Sequence, residues 1–141
     1  MDVAHSRLSG AQQVLVAVAG LASLRSLKLG SLSSWLAHPA QDLQPLCAAT
    51  HLTCLHIMDL GVCDGTVERL AAHLTQLRAL DISDNARVSD AALGALRASL
   101  PLLLNLDVSG TGVTPEGIRA LCDALPSVAV VCFDSSDDDM L

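Results

Sequence analysis

The sequence predicts an α/β solenoid: a row of about five parallel strands on one face, with helices returning on the other. Two patterns and one compositional fact predict it. An apolar triplet recurs five times at the spacing L-x-x-L-x-L, as Leu24-Leu27-Leu29, Leu52-Leu55-Ile57, Leu77-Leu80-Ile82, Leu103-Leu106-Val108 and Val128-Val131-Phe133. Its middle residues, 27, 55, 80, 106 and 131, are separated by 28, 25, 26 and 25 positions, a period at which stacked repeats occur. Between triplets runs a helical pattern. Finally, the chain is 51% hydrophobic but only 1% aromatic, as expected of thin layers filled by Leu, Val and Ala.

In chain order, residues 1–9 form an N-terminal tail. Ser9, Val14, Ala17 and Leu21 then follow the helix spacing of the later units and predict the helical half of a preceding repeat. The apolar run Val14–Leu24 has some character of a signal peptide, but Asp2 weakens its positive flank and its residues fit the repeat register. Arg25 and Lys28 close it too early for a membrane span. After the first triplet comes an irregular unit. Pro39, Asp42 and Pro45 argue against a regular helix, so Leu43, Leu46 and Trp35 are expected to cover the core with a short or broken segment.

The next three units align without gaps at their helices. Val62, Val67, Leu70 and Leu74 correspond to Val88, Leu93, Leu96 and Leu100, and to Val113, Ile118, Leu121 and Leu125. The last three of each set share one helix face. Ser89 and Thr114 are suited to cap the first free amides, with Pro115 in the first turn and Asp64 as a weaker cap before Gly65. The repeat domain so defined spans 10–134, and residues 135–141 read as an acidic, disordered tail. Ser135 and Ser136 precede Asp137–Asp139, a context that suits an acid-directed kinase, although a solvating tail is the simpler reading.

The run L-x-x-L-D-I-S-x-N with V-S-D-x-x-L-x-x-L at 77–96 resembles leucine-rich repeats of the cysteine-containing type. The stretch LLNLDVSGTGVTPEGIRALCDALP at 103–126 is similar to the ribonuclease-inhibitor type as well. The resemblance covers roughly residues 10–134 and implies a right-handed leucine-rich-repeat solenoid with a concave strand face, a convex helix face and no dedicated caps. It also implies kinship with the repeat domains of F-box and other cullin ubiquitin-ligase substrate receptors. The sequence departs from that pattern in two ways. No F-box fits before residue 10, and the ladder position that holds cysteine in such repeats carries Leu60, Asn85 and Thr111.

Alternation along each strand projects the residues between the leucines from the concave face. The central column is then Lys28, His56, Asp81, Asp107 and Cys132. Ser26, Cys54, Ala79, Asn105 and Val130 flank it on one side, with Gly30, Met58, Ser83, Ser109 and Asp134 on the other. From these the expected partner-binding residues are Lys28, His56, Met58, Asp81, Ser83, Asn105, Asp107 and Ser109. Asp81 and Asp107, about 5 Å apart on adjacent strands, suit a Lys or Arg from a partner. In water their mutual repulsion is below about 1 kcal/mol.

Other chemistries fit less well. An open sheet surface gives two carboxylates no dry setting in which to separate their protonation, so no enzymatic activity is expected. Cys47, His51, Cys54 and His56 are chemically able to bind zinc but lack a convergent spacing, and no metal or other cofactor is expected. Cys122 reads as a half-buried helix residue. A net charge of −7 and the absence of stacking aromatics speak against nucleic acid. Five cysteines, an odd number without C-x-x-C, favour reduced thiols in cytoplasm or nucleus.

The expected function is therefore a non-catalytic protein-interaction module with a protein partner, possessing a basic contact surface, on the concave face. The alternatives are a substrate-recognition subunit of a cullin-type ubiquitin ligase, or a fragment of a longer repeat array without independent function. Two sheet edges without neighbours also predict edge-strand self-association, with the acidic tail discouraging it beside Phe133.

Overall fold

The computed structural model describes residues 10–29 and 43–133. The proposed tails 1–9 and 135–141 lie outside these, as do Trp35, Gly30 and Asp134. The described elements alternate along the chain: α1 (Gly10–Ala19), β1 (Ser26–Lys28), a 3-10 turn (Gln44–Ala48), β2 (Cys54–His56), α2 (Asp64–His73), β3 (Ala79–Asp81), α3 (Asp90–Ser99), β4 (Asn105–Asp107), α4 (Pro115–Ala124) and β5 (Ala129–Val131). The five strands form one parallel sheet in sequence order. This is the leucine-rich-repeat architecture.

Leucines build the core as the triplets require. Leu52, Leu55, Ile57, Leu77, Leu80, Ile82, Leu103, Leu106 and Val108 are each 5% exposed or less. They meet the helix residues Val67, Leu70, Leu93, Leu96 and Leu121 in one continuous apolar layer. The irregular unit closes as expected with a short 3-10 turn that includes Pro45, and Leu43 and Leu46 are fully buried there.

Strands β2, β3 and β4 are entered through the same device. The N–H groups of Thr53 and Cys54 both donate to the Arg25 carbonyl, those of Arg78 and Ala79 to Thr53, and those of Leu104 and Asn105 to Arg78. Two donors on one acceptor make room for the extra residue in L-x-x-L. At the fifth strand only Ala129 donates, to the Leu104 carbonyl. The extra residue is missing, and β5 pairs Leu106 with Val130 rather than with Val131.

The expected fifth triplet is thus out of register by one residue. Val128 is buried and Val130 packs on the core, while Val131 and Phe133 are 40% and 69% exposed. In a strand a one-residue slip exchanges the two faces. The run V-A-V-V offers no apolar–polar alternation to reveal which face is which.

Two helix expectations also change. Among the described side chains of α1, Leu15 is buried and Ala19 packs against the core, whereas Val14 and Ala17, and Leu21 beyond the helix, are exposed. The helix is rotated so that this face meets the 3-10 turn. Asp64 is not a cap: Cys63 holds the N-cap position of α2, its thiol 3.7 Å from the Thr66 hydroxyl, and Asp64 begins the helix. Ser89 and Thr114 do cap, accepting from the N–H groups of Ala91 (3.4 Å) and Gly117 (3.2 Å).

Asp64 serves the neighbouring repeat instead. Its carboxylate accepts from the Ser89 N–H (2.6 Å) and hydroxyl (2.5 Å), and Asp90 receives the same two donors from Thr114. The first residue of one helix therefore holds the cap of the next. Gly117 is needed beside this contact, because a Cβ there would stand 2.2 Å from an Asp90 carboxylate oxygen. The series ends at α4, which begins with Pro115.

Candidate functional site

The turns after β2, β3 and β4 position the exposed strand residues. Asp59, Asp84 and Gly110 occupy equivalent places with φ of 54°, 58° and 69°. Gly is permissive there, and Asp is one of the few other residues that adopts it readily. Their N–H groups donate to the carbonyls of Ser83, Ser109 and Phe133 in the following repeats. Asn85, 1% exposed, locks the middle turn. Its side-chain oxygen accepts from the N–H groups of Leu60 (3.0 Å) and Val62 (3.2 Å), and its amide donates to the carbonyls of Ile57, Ile82 and Ser83. Thr111, its counterpart, bonds only within its own turn, donating to the Val108 carbonyl.

On this frame the central column is Lys28, His56, Asp81, Asp107 and, in place of the expected Cys132, Val131, as the strand pairing dictates. By the same slip, Ala129 replaces Val130 in one flanking column, and Phe133 stands in the other where Asp134 was expected. Among the expected contacts, His56, Asp81, Asn105 and Asp107 come together around a depression of about 150 Å3, closed at one end by Val131. Lys28 is exposed beside His56 but does not line the hollow. Met58 is half-buried.

The serines do not project as expected. Ser83 is 4% exposed, and both its N–H (2.9 Å) and its hydroxyl (2.5 Å) donate to one oxygen of Asp81. The Ser109 N–H donates to Asp107 at 2.9 Å, while its hydroxyl accepts from the Phe133 N–H. Each aspartate thus uses one carboxylate oxygen to close its own strand end, which accounts locally for the repeated L-D-x-S wording.

Their second oxygens differ. That of Asp81 lies 3.5 Å from His56 Nδ1, with the two side chains 15% and 34% exposed. Asp107 makes no further side-chain bond or ion pair among the described residues, so its outer oxygen is the more open acceptor. The His56–Asp81 contact was missed from sequence, although in-register placement on adjacent strands was its available signal.

The cysteines separate by position. Cys54 shares the strand face with His56, whereas Cys47 sits on the 3-10 turn, its thiol pushed above the ordinary range by burial and partly offset by Arg69. Among the described residues no three His, Cys, Asp or Glu side chains are grouped so as to hold a metal. Cys63 is held below the ordinary thiol range, first by the Thr66 backbone N–H and next by the Thr66 hydroxyl. Cys47, Cys54, Cys63 and Cys122 are free thiols. Among the described residues no helix is long and apolar enough to cross a membrane.

Comparison with known proteins agrees with this geometry. The family described as Zer-1-like, leucine-rich repeats, matches residues 18–124. No curated protein matches. Among solved structures, the tropomodulin C-terminal domain of Caenorhabditis elegans superposes with a TM-score of 0.66 at 12% identity, covering 86% of this chain and 81% of that one. The structure of Chaetomium Mex67:Mtr2 subunits gives 0.56 at 18% identity, covering 85% and 88%. At such identities these two likenesses speak to fold alone.

Proposed function

Because the chain belongs to the Zer-1-like leucine-rich-repeat family, we propose that it is a non-catalytic protein-interaction module that binds its partner on the concave strand face. The observation carrying this is the hollow between β3 and β4, where Asp107 offers an open carboxylate oxygen beside Asn105 and apolar Val131. A Lys or Arg side chain from the partner fits that chemistry: its charge pairs with Asp107 and its methylene stem lies against Val131. Backbone pinning of both aspartates favours such recognition, since their side chains lose little further freedom on binding. An odd number of cysteines without a C-x-x-C pair is in keeping with a reducing compartment, cytoplasm or nucleus.

The family match favours one particular version of this role, substrate recognition for a cullin-type ubiquitin ligase. Affinity purification from the native cell separates the readings. Co-recovery of cullin adaptors supports the ligase role, and other stable partners support a general interaction module. The double substitution Asp81→Lys/Asp107→Lys then tests the surface. Binding of the recovered partner is expected to fall at least roughly tenfold; undiminished binding by the folded variant sinks the assignment of this face.

A further inference from the structure

Equivalent positions in successive repeats are buried to different depths. Val88, Leu93, Leu100 and Leu106 are at most 2% exposed. Their counterparts one repeat later, Val113, Ile118, Leu125 and Val130, are only partly buried. Beyond them Val131 and Phe133 stand in solvent. At the opposite end Leu24 and Leu27 are partly buried, and Val14, Val16 and Leu21 are 51%, 49% and 57% exposed. Both ends present an apolar cross-section of the stack. Each also has a strand edge without a neighbour among the described residues.

The two ends differ in charge. Among the described residues, 10–29 contain Arg25 and Lys28 and no acid, whereas 115–133 contain two acids, Glu116 and Asp123, against one base, Arg119. Like ends repel and unlike ends attract. We infer that the chain self-associates head to tail: the β5 edge of one copy docks on the β1 edge of a second copy and extends the parallel sheet.

The bonding needed is already in use inside the molecule. The carbonyls of Arg25, Thr53, Arg78 and Leu104 each take an N–H from the next strand. Val128 is the next carbonyl in that series, and Ser26 on β1 supplies the N–H equivalent to that of Cys54. In this register Val130 meets Leu27 and continues the core column, while Arg25 and Lys28 approach the acidic end. The hollow between β3 and β4 stays open in this arrangement. Since the two surfaces differ, the contact is heterologous and builds open chains or a ring.

Sedimentation of the full 141-residue chain tests this with two blocked variants. Arg25→Glu/Lys28→Glu disables the β1 end, and Val131→Lys/Phe133→Lys disables the β5 end. The unmodified chain is expected to gain average mass with concentration, and to lose that gain near 1 M salt, where screening reaches about 3 Å. Each variant alone should associate roughly tenfold or more weakly. Their equimolar mixture should give a 1:1 dimer and nothing larger, because one compatible pair of ends remains. A chain that stays monomeric at its highest soluble concentration overturns the proposal. So does a β1-blocked variant that still dimerises by itself, which would mean β5-to-β5 pairing. Should the β5-end variant lose its circular-dichroism signal, Glu116→Lys/Asp123→Lys, at two exposed positions of α4, reverses the charge of that end and carries the same expectation.

Discussion

The middle of the solenoid and its last layer are built from nearly the same residues, and they differ in what covers them. Leu93 and Ile118 hold the same place on α3 and α4, yet Leu93 is 2% exposed while Ile118 is only partly buried. In a repeat stack a residue owes its burial as much to the next layer as to its own. Stability is therefore expected to decline from the centre toward the ends.

The sharpest way to break that comparison is through the core. Leu96→Ala removes a fully buried side chain between two helices and is expected to cost about 3–4 kcal/mol, against about 1–2 for Ile118→Ala, measured by urea unfolding. Equal losses would mean that the end layer is covered in solution. The turn pair comes next. Asn85→Ala strands the buried N–H groups of Leu60 and Val62, along with three carbonyls, for about 3 kcal/mol, whereas Thr111→Ala should cost about 1. Smaller still, Asp90→Ala releases the Thr114 cap for about 1 kcal/mol, while changing Pro115, which holds no neighbour's cap, should leave inter-repeat capping unaltered. Thermal melts of the two variants would reveal a difference.

The smallest effect leaves stability alone. Cys63, with its lowered thiol pKa, is expected to react with iodoacetamide several-fold faster than Cys47 at about pH 7.5, since the thiolate is the nucleophile. Mass-spectrometric labelling of the folded protein follows both sites. Thr66→Val, which removes the hydroxyl but keeps the backbone N–H, should narrow the gap without closing it.

The strand order, the leucine core and the collapsed second unit were legible in the sequence because each rests on a period or on a residue with strong local demands, such as Pro45. The pairing of Asp81 with Asp107 was legible for the same reason. The face of α1 was not, because a ten-residue, nearly all-apolar helix offers several stripes and the 3-10 turn selects one. Nor were the Asp64–Ser89 and Asp90–Thr114 bonds, whose partners lie 25 and 24 residues apart and are linked only by stacking. The fifth strand misled because four successive apolar residues fit either face equally.

That fifth strand bears on how such a surface changes over generations. The turn between Ile82 and Val88 is one residue longer than that between Val108 and Val113, yet strands β3 and β4 stay in register and Asn85 closes the longer loop. Length there is a neutral variable. At a strand entry the loss of a single residue puts Val131 and Phe133 where Cys132 and Asp134 would otherwise stand. One codon deletion can therefore rewrite several recognition positions together, a jump in specificity that no single substitution provides.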